Sequence, residues 1–355
     1  MGCDGGSRDD QPAHGPAVHV VATYPTDGQG TNTGSDAGVD CNTPTPDCAV
    51  PTDVAIELRF DRFLLPGEGL AAGLQLFSGD PNANGVALSA EYDLIERVVV
   101  FHHPAPLQSN TLYTALIVPG KNPNQGFWAF DGAPLEEGPV PLRFSFTTGG
   151  GPAAPTPSVP PRTDSCVTIA KAPARAGNTL LPAGPLNGCT GTCHQNPPQS
   201  PPSSAGDSIR AYPPMGLALT DWGLAHTAIN RVAHETETGN SALGPGFESA
   251  ARFGVQMNIV DPGSPENSYL MYKLLRKPEN YALGEGEACP VTFHAPVSDA
   301  ACLPPNDDEL ARLREWFVLG EPMPKDSAGS SASLSRDELV RIAGWISAGA
   351  VCDLP

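Results

Sequence analysis

Apolar and polar residues alternate along much of the first part of the chain, between Val18 and Thr148. A period of two places alternate side chains on one face of a β-strand. The alternating positions fall into three runs: Val54, Ile56, Leu58 and Phe60; Leu112, Thr114, Leu116 and Val118; and Leu142, Phe144 and Phe146. Turn signals separate the runs, so the pattern predicts an all-β sandwich.

The remainder of the chain shows helical periodicity instead. A helix-like run extends from Asn306 to Leu319, and Ser335 with Glu338 forms a Ser-x-x-Glu capping box before a second helix. Two more helices are predicted, one starting at Thr220 and one over Pro265 to Arg276 with Ser264 as its N-cap. The apolar face of the capping-box helix comprises Leu339, Ile342, Trp345 and Ile346.

Composition sets the domain organisation and excludes some function classes. The chain has 355 residues, with 40 Pro and 38 Gly, which implies many turns and short elements. A Gly- and Pro-rich stretch divides it into a tether (1–16), the β domain (17–148), a linker (149–165) and a second domain (166–355). The formal charge of −19 repels nucleic-acid phosphates, so no nucleic-acid partner is expected.

The segment Cys189-Thr190-Gly191-Thr192-Cys193-His194 indicates a specific chemistry. Two nearby thiols can add to the vinyl groups of one haem, and the adjacent histidine can then bind the iron. Here three residues separate the thiols where the usual signal has two, although both spacings bring the side chains to one face of a helical turn. The alternative is a tight disulfide or redox pair of Cys189 and Cys193, with His194 as an ordinary polar neighbour.

A methionine is the usual second axial ligand of such an iron. Met323 lies between two prolines in a predicted loop, where it is stiff and poorly placed for core packing. Met215 is the next candidate, whereas Met257 and Met271 lie in apolar runs and are expected in the core. Two histidines, His226 and His234, are expected on the surface.

The second domain resembles a c-type cytochrome of a large bacterial type. The shared motifs are Pro-Gly-x-Pro-x-x-Ser-x-Leu at 262–270, Met-Pro at 323–324 and Trp-Ile-x-x-Gly-Ala at 345–350. The resemblance implies one covalent haem c on Cys189 and Cys193, with His194 and Met323 as axial ligands. The fold class expected from it is a multidomain chain, an all-β sandwich followed by a mainly α, loop-rich cytochrome c-like domain.

The remaining cysteines point to an oxidising compartment, because nine in one chain are many for a reducing cytosol. The simplest pairing joins Cys41 to Cys48, Cys289 to Cys302 and Cys166 to Cys352, out of 15 possible sets. Cys3 resembles the lipidated first residue of a mature bacterial lipoprotein, and its alternative is an unpaired terminal thiol. A lipid membrane is therefore expected as a partner through Cys3 only.

The β domain resembles the bacterial Ig-like domain of surface-layer and other exported proteins. Four family marks follow in order: Tyr24-Pro25-Thr26-Asp27-Gly28, Phe60-Asp61-Arg62-Phe63-Leu64, Pro106-Leu107 with Thr111-Leu112-Tyr113, and Phe144 to Gly149. By this resemblance Tyr113 would be a corner tyrosine that hydrogen-bonds backbone near a turn, and its alternative is plain core packing.

These features lead to one main hypothesis and two alternatives. The main one is an exported, lipid-anchored monohaem c-type cytochrome in the periplasm or at the cell surface, which passes single electrons to an unknown periplasmic or outer-membrane redox partner. The β domain would then be a spacer or docking module, and no catalytic residues are assigned. The first alternative is a non-redox surface or adhesion protein whose second domain is a disulfide-bonded scaffold without haem. The second is a haem enzyme or sensor with an open iron position.

Overall fold

A computed structural model describes residues 15–30, 49–79, 85–120, 125–152, 164–170, 175–176, 179–180, 186, 217–220, 223–233, 257–277, 305–314, 318 and 334–352. The chain divides into two compact units, each described by itself below. The β unit contains Pro12–Val159, and the C-terminal unit contains Pro160–Glu287 and Asn306–Pro355.

The described residues of the β unit form eight strands. They are β1 (Val20–Tyr24), β2 (Ile56–Phe60), β3 (Leu74–Ser78), β4 (Gly85–Val86), β5 (Ser89–Asp93), β6 (Val98–His102), β7 (Leu112–Ile117) and β8 (Arg143–Thr147). They form two four-stranded sheets in the orders β1-β2-β6-β5 and β4-β3-β7-β8. Every pairing within these sheets is antiparallel, and a 3₁₀ helix at Glu68–Gly73 precedes β3.

The core of the β unit follows from the alternation along β2. Ile56, Leu58 and Phe60 are fully buried, as the period of two predicts. The Phe60 ring packs 4.8 Å from the Phe127 ring, and the Phe101 ring of β6 lies 6.3 Å from the same ring. Aromatic contacts at these distances add to the energy of apolar burial, so Phe127 joins neighbouring strands into one core.

Burial along β7 does not follow the alternating set of Leu112, Thr114 and Leu116. Leu112 is 46% exposed, whereas Tyr113, Ala115 and Ile117 are at most 3% exposed. Both sets of positions in this strand are largely apolar, so alternation alone could not select the buried face. The aromatic ring decides it, because Tyr113 stacks on Phe146 of β8 with the ring centroids 5.7 Å apart.

Tyr113 has the contact expected of a corner tyrosine. Its hydroxyl oxygen accepts a hydrogen bond from the backbone N–H of Gln108, 2.8 Å away, while the side chain is 2% exposed. The residue therefore packs in the core and also fixes the loop before β7.

The C-terminal unit has short helices and a small two-stranded sheet of β9 (Arg175–Ala176) and β10 (Thr179–Leu180). Its α-helices are α1 (Cys166–Ala170), α2 (Tyr269–Leu275), α3 (Asp307–Arg312) and α4 (Arg336–Ser347). A π-helical turn spans Leu224–Ala228, and a 3₁₀ turn spans Pro265–Asn267.

The capping-box prediction for α4 is confirmed. The Ser335 hydroxyl accepts from the Glu338 N–H at 3.3 Å, and the Glu338 carboxylate accepts from the Ser335 N–H at 2.8 Å. The predicted apolar face is also buried. Two helix-end donors are thus bonded where the chain enters the helix.

Two other predicted helices are interrupted. The helix expected from Thr220 is only the π-helical turn, because the chain becomes extended at Ile229 and pairs with Val260. The helix expected over Pro265 to Arg276 breaks at Ser268, whose hydroxyl donates to the Ser264 carbonyl oxygen at 3.0 Å. Ser264 itself makes no side-chain cap.

The fold-class prediction is therefore wrong as a whole, because the mainly α, cytochrome c-like second domain is not what the structure shows. The two large antiparallel sheets belong to the β unit, and the helices described in the C-terminal unit are few and short. Within the described ranges only α4 reaches 12 residues, and no other helix exceeds seven. Local hydroxyl–backbone bonds and β-bridges end the helical patterns early.

Candidate functional site

Most of the residues predicted to carry chemistry lie outside the described part of the chain. These are Cys3, Cys41, Cys48, Cys189, Cys193, His194, Met215, His234, Cys289, Cys302 and Met323. Cys166 and Cys352 are described, and a disulfide joins them with their Cα atoms 4.7 Å apart. Met257 and Met271 are buried and His226 is exposed, as expected.

The disulfide belongs to a closure between the start and the end of the C-terminal unit. The Cys166 N–H donates to the Val351 carbonyl oxygen at 3.0 Å, and the Trp345 indole N–H donates to the same oxygen at 3.1 Å. Nearby, the Arg341 guanidinium donates hydrogen bonds to both carboxylate oxygens of Asp164, at 2.8 and 3.3 Å. The hydrogen bond to Asp164 raises the pKa of Arg341, so the guanidinium stays protonated.

A second arrangement, here named the clasp, comprises Gly15, Pro16, Arg62 and Asp131. Arg62 donates one bond to the Pro16 carbonyl oxygen and another to Asp131 Oδ2 at 2.9 Å. The Gly15 N–H donates to the same carboxylate oxygen at 2.7 Å. The ion pair therefore closes around the Gly15–Pro16 main chain.

The clasp is buried and held in place by its surroundings. The Arg62 and Asp131 side chains are 2% and 1% exposed, and the guanidinium carbon lies 5.6 Å from the centre of the Phe130 ring. Burial alone would raise the pKa of Asp131. The bond to Arg62 and its charge, with the N–H groups of Gly15 and Ala133, outweigh burial and lower that pKa.

The residues that follow the clasp are bonded on two sides. On one side, the His19 N–H donates to Asp61 Oδ1 at 2.8 Å, and the Asp61 N–H donates back to the His19 carbonyl oxygen at 3.2 Å. The His19 Nδ1 atom also lies 2.9 Å from Asp61 Oδ2. On the other side, Val18 exchanges backbone bonds with Pro134 and Glu136, both at 3.0 Å.

Sequence reasoning missed this arrangement, although a signal was present. Asp61 and Arg62 are two charged residues between the aromatic residues Phe60 and Phe63. Charged side chains enclosed by core aromatics need partners, and Asp131 follows Phe130 in the same way.

Two open grooves lie on the sheet containing β3, β7 and β8. The first, of about 460 Å³, is lined mainly by apolar residues of β3 and β4, including Phe77 and Val86. The second, of about 560 Å³, shares Gln75 with the first and has Glu137 and Arg143 at its polar positions. Their linings offer apolar contact and hydrogen bonding.

Within the described ranges, no group of three or more His, Cys, Asp or Glu side chains is placed to hold a metal ion. None of the helices in those ranges is long and apolar enough to cross a membrane.

No protein-family model matches the chain, and no curated protein matches it. Among solved structures it is similar to the N-terminal part of the bacterial S-layer protein SbsC, with 8% identity and a TM-score of 0.24, over 38% of this chain and 24% of that one. A longer structure of the S-layer protein SbsC matches with 11% identity and a TM-score of 0.25, over 47% of this chain and 19% of that one. The chain thus spans about a quarter or less of the length of the structures that it matches.

Proposed function

We propose that this chain is an exported, non-redox surface protein in which the β unit is a spacer and the C-terminal unit is a disulfide-closed scaffold. The observation that carries the proposal is the Cys166–Cys352 disulfide, which joins residues 186 positions apart. A disulfide of this kind persists in oxidising compartments and is rare in the cytosol. Such a bond therefore favours a location outside the cytoplasm.

The surroundings of this disulfide favour a structural role over a redox role. Cys166 is fully buried, and its N–H and the Trp345 indole bind one carbonyl oxygen beside the bond. The Asp164–Arg341 ion pair closes the same two segments without involving sulfur. A reactive disulfide is typically exposed to an attacking thiolate. In this disulfide Cys166 is buried, and hydrogen bonds beside it hold the two segments together.

The β unit suits a spacer because the β8 edge of one sheet is bonded by residues outside the strands. Residues of the turn after β1 bind the β8 edge. The Gly28 N–H donates to the Ser145 carbonyl oxygen at 2.8 Å, and the Thr147 N–H donates to the Gln29 carbonyl oxygen at 2.8 Å. Bonded edges resist pairing with other chains, which favours a stable, independent module.

The test is the location of the chain in intact cells of its source or of an exporting host. Cells are treated with a protease that cannot cross membranes, and the chain is then detected by antibodies against each unit. Loss of both units from intact cells supports the proposal, with a cytosolic protein as the matched control. Protection of both units until the cells are lysed would contradict a surface location.

A second candidate function is electron transfer through a covalent haem at Cys189 and Cys193, with His194 and Met323 as iron ligands. The observation that favours it is the sequence motif itself, because a histidine directly after the second of two close cysteines is the arrangement that haem attachment needs. A haem stain of a denaturing gel distinguishes the candidates. A stained band that is lost in the Cys189→Ala, Cys193→Ala double variant supports electron transfer, and an unstained band supports the non-redox scaffold.

A further inference from the structure

The clasp raises the question of what a buried ion pair does in the β unit. Arg62 and Asp131 are almost fully buried, and an apolar pair of similar volume often stabilises a core equally well. An apolar pair could not bind the main chain of Gly15 and Pro16, however. The polar atoms of the clasp are thus explained by what they hold.

What they hold is the entry of the chain into the β unit. The β unit begins at Pro12, Gly15 lies three residues after it, and β1 starts at Val20. Within these few residues the main chain is bonded to two separate flanks, residues 61–62 on one side and residues 131–136 on the other. A pull on the N-terminal end must break both rows of bonds before it reaches the fully buried Val20 side chain.

The chemistry of the clasp also suits resistance to a pulling force on Gly15. Hydrogen bonds between ionised groups are about twice as strong as bonds between neutral groups, and burial excludes the water that would otherwise compete for them. Asp131 is itself fixed, since its second oxygen accepts from the Ala133 N–H at 3.2 Å. The carboxylate can therefore hold Gly15 without moving away with it.

We infer that the clasp of Gly15, Pro16, Arg62 and Asp131 is the mechanical attachment through which tension on the N-terminal segment enters the β unit. The inference rests on the proposed function in one respect, namely that a surface spacer is subject to tension between its ends. The clasp itself is a property of the purified chain, so its test does not depend on where the protein resides.

The experiment is single-molecule force spectroscopy of the full chain held at its two ends. The first variant is Asp131→Asn, which removes the negative charge of the clasp's carboxylate. The matched control is Glu96→Gln, which removes the negative charge of Glu96 from the buried Arg59–Glu96 pair of the same unit, whose Nη2 and Oε2 atoms are 3.1 Å apart. Both replace a buried carboxylate with an amide of similar shape. The clasp, unlike the Arg59–Glu96 pair, contacts residues 15 and 16.

At constant load we expect residues 15–24 of the Asp131→Asn chain to detach before the β unit unfolds, with an early lengthening of at most about 35 Å. The rate of that early step should rise by roughly a hundredfold relative to the wild-type chain. The Glu96→Gln chain should unfold without the early step, even if its thermal stability falls as much.

Gly15→Pro provides a second variant, because it removes the N–H bond to Asp131 and leaves the ion pair intact. It should also show the early step, and it serves if Asp131→Asn does not fold. Equal behaviour of the clasp variants and Glu96→Gln, with no early lengthening in any of them, would overturn the inference. A failure of the surface-exposure test with the early step present would overturn the proposed location and leave the clasp established.

Discussion

Replacing Cys166 and Cys352 together with alanine should destabilise the C-terminal unit and leave the β unit unchanged. The bond closes a sequence separation of 186 residues, and the chain-entropy relation for a loop of that length gives about 5 kcal/mol at 25 °C. Alanine is the suitable replacement for Cys166, because a serine hydroxyl would be buried at a fully buried position.

Differential scanning calorimetry of the full chain measures this effect. For a unit of this size, a loss of 5 kcal/mol lowers the midpoint of its unfolding by about 10 to 20 °C. The β unit provides the internal control, since neither cysteine belongs to it. Two results would refute the reasoning: a shift of the C-terminal transition below about 2 °C, or an equal shift of both transitions.

Three further predictions concern single groups. Tyr113→Phe removes the hydroxyl that binds the Gln108 N–H, so the β unit should lose about 1 to 2 kcal/mol in denaturant unfolding, and an unchanged midpoint would contradict this. Ser335→Ala removes one half of the capping box and should lower the stability of the C-terminal unit by about 1 kcal/mol, whereas Ser335→Asp should restore it. The pKa of Asp131 is lowered in the folded chain, so its stabilising contribution is present at neutral pH and is lost as the pH falls below the usual aspartate range. Acid unfolding of the Asp131→Asn chain should therefore be less steep than that of the wild type, and identical acid profiles would contradict the assignment.

How far the sequence predicts the β unit depends on the contrast between neighbouring residues. In β2, apolar and charged residues alternate, and the apolar set of Ile56, Leu58 and Phe60 was placed correctly in the core. In β7 both faces are largely apolar, so alternation alone does not distinguish the buried face, and Leu112 is 46% exposed.

The C-terminal unit shows a different limit. The capping box at Ser335 is a local signal, formed by two side chains of one helical turn, and it was found from sequence. The break at Ser268 depends on the Ser264 carbonyl and on the Asp261 N–H, which bonds to the same hydroxyl at 2.8 Å. Helical periodicity does not contain that information, so the predicted helix was too long.

The candidate site was predictable only in part for a similar reason. The joining of Cys166 to Cys352 could be proposed from sequence, because pairing the other four cysteines with their neighbours leaves these two for each other. The clasp joins Arg62 to Asp131 across 69 positions. The sequence shows that each of these charged residues lies beside an aromatic residue, but it does not show that the two pair with each other. Such long-range polar contacts follow from topology rather than from local pattern.

The central claim, a disulfide-closed and non-redox exported protein, is tested most directly by the intact mass of the purified chain. The chain should be exported in a host that attaches haem to c-type cytochromes. The mass of the intact chain is then measured without reduction, and the masses of its peptides are measured after digestion without reduction. The account predicts a mass without a haem adduct, and a peptide in which Cys166 is linked to Cys352. A covalent haem on the peptide that contains Cys189 and Cys193, or free thiols at Cys166 and Cys352, would contradict it.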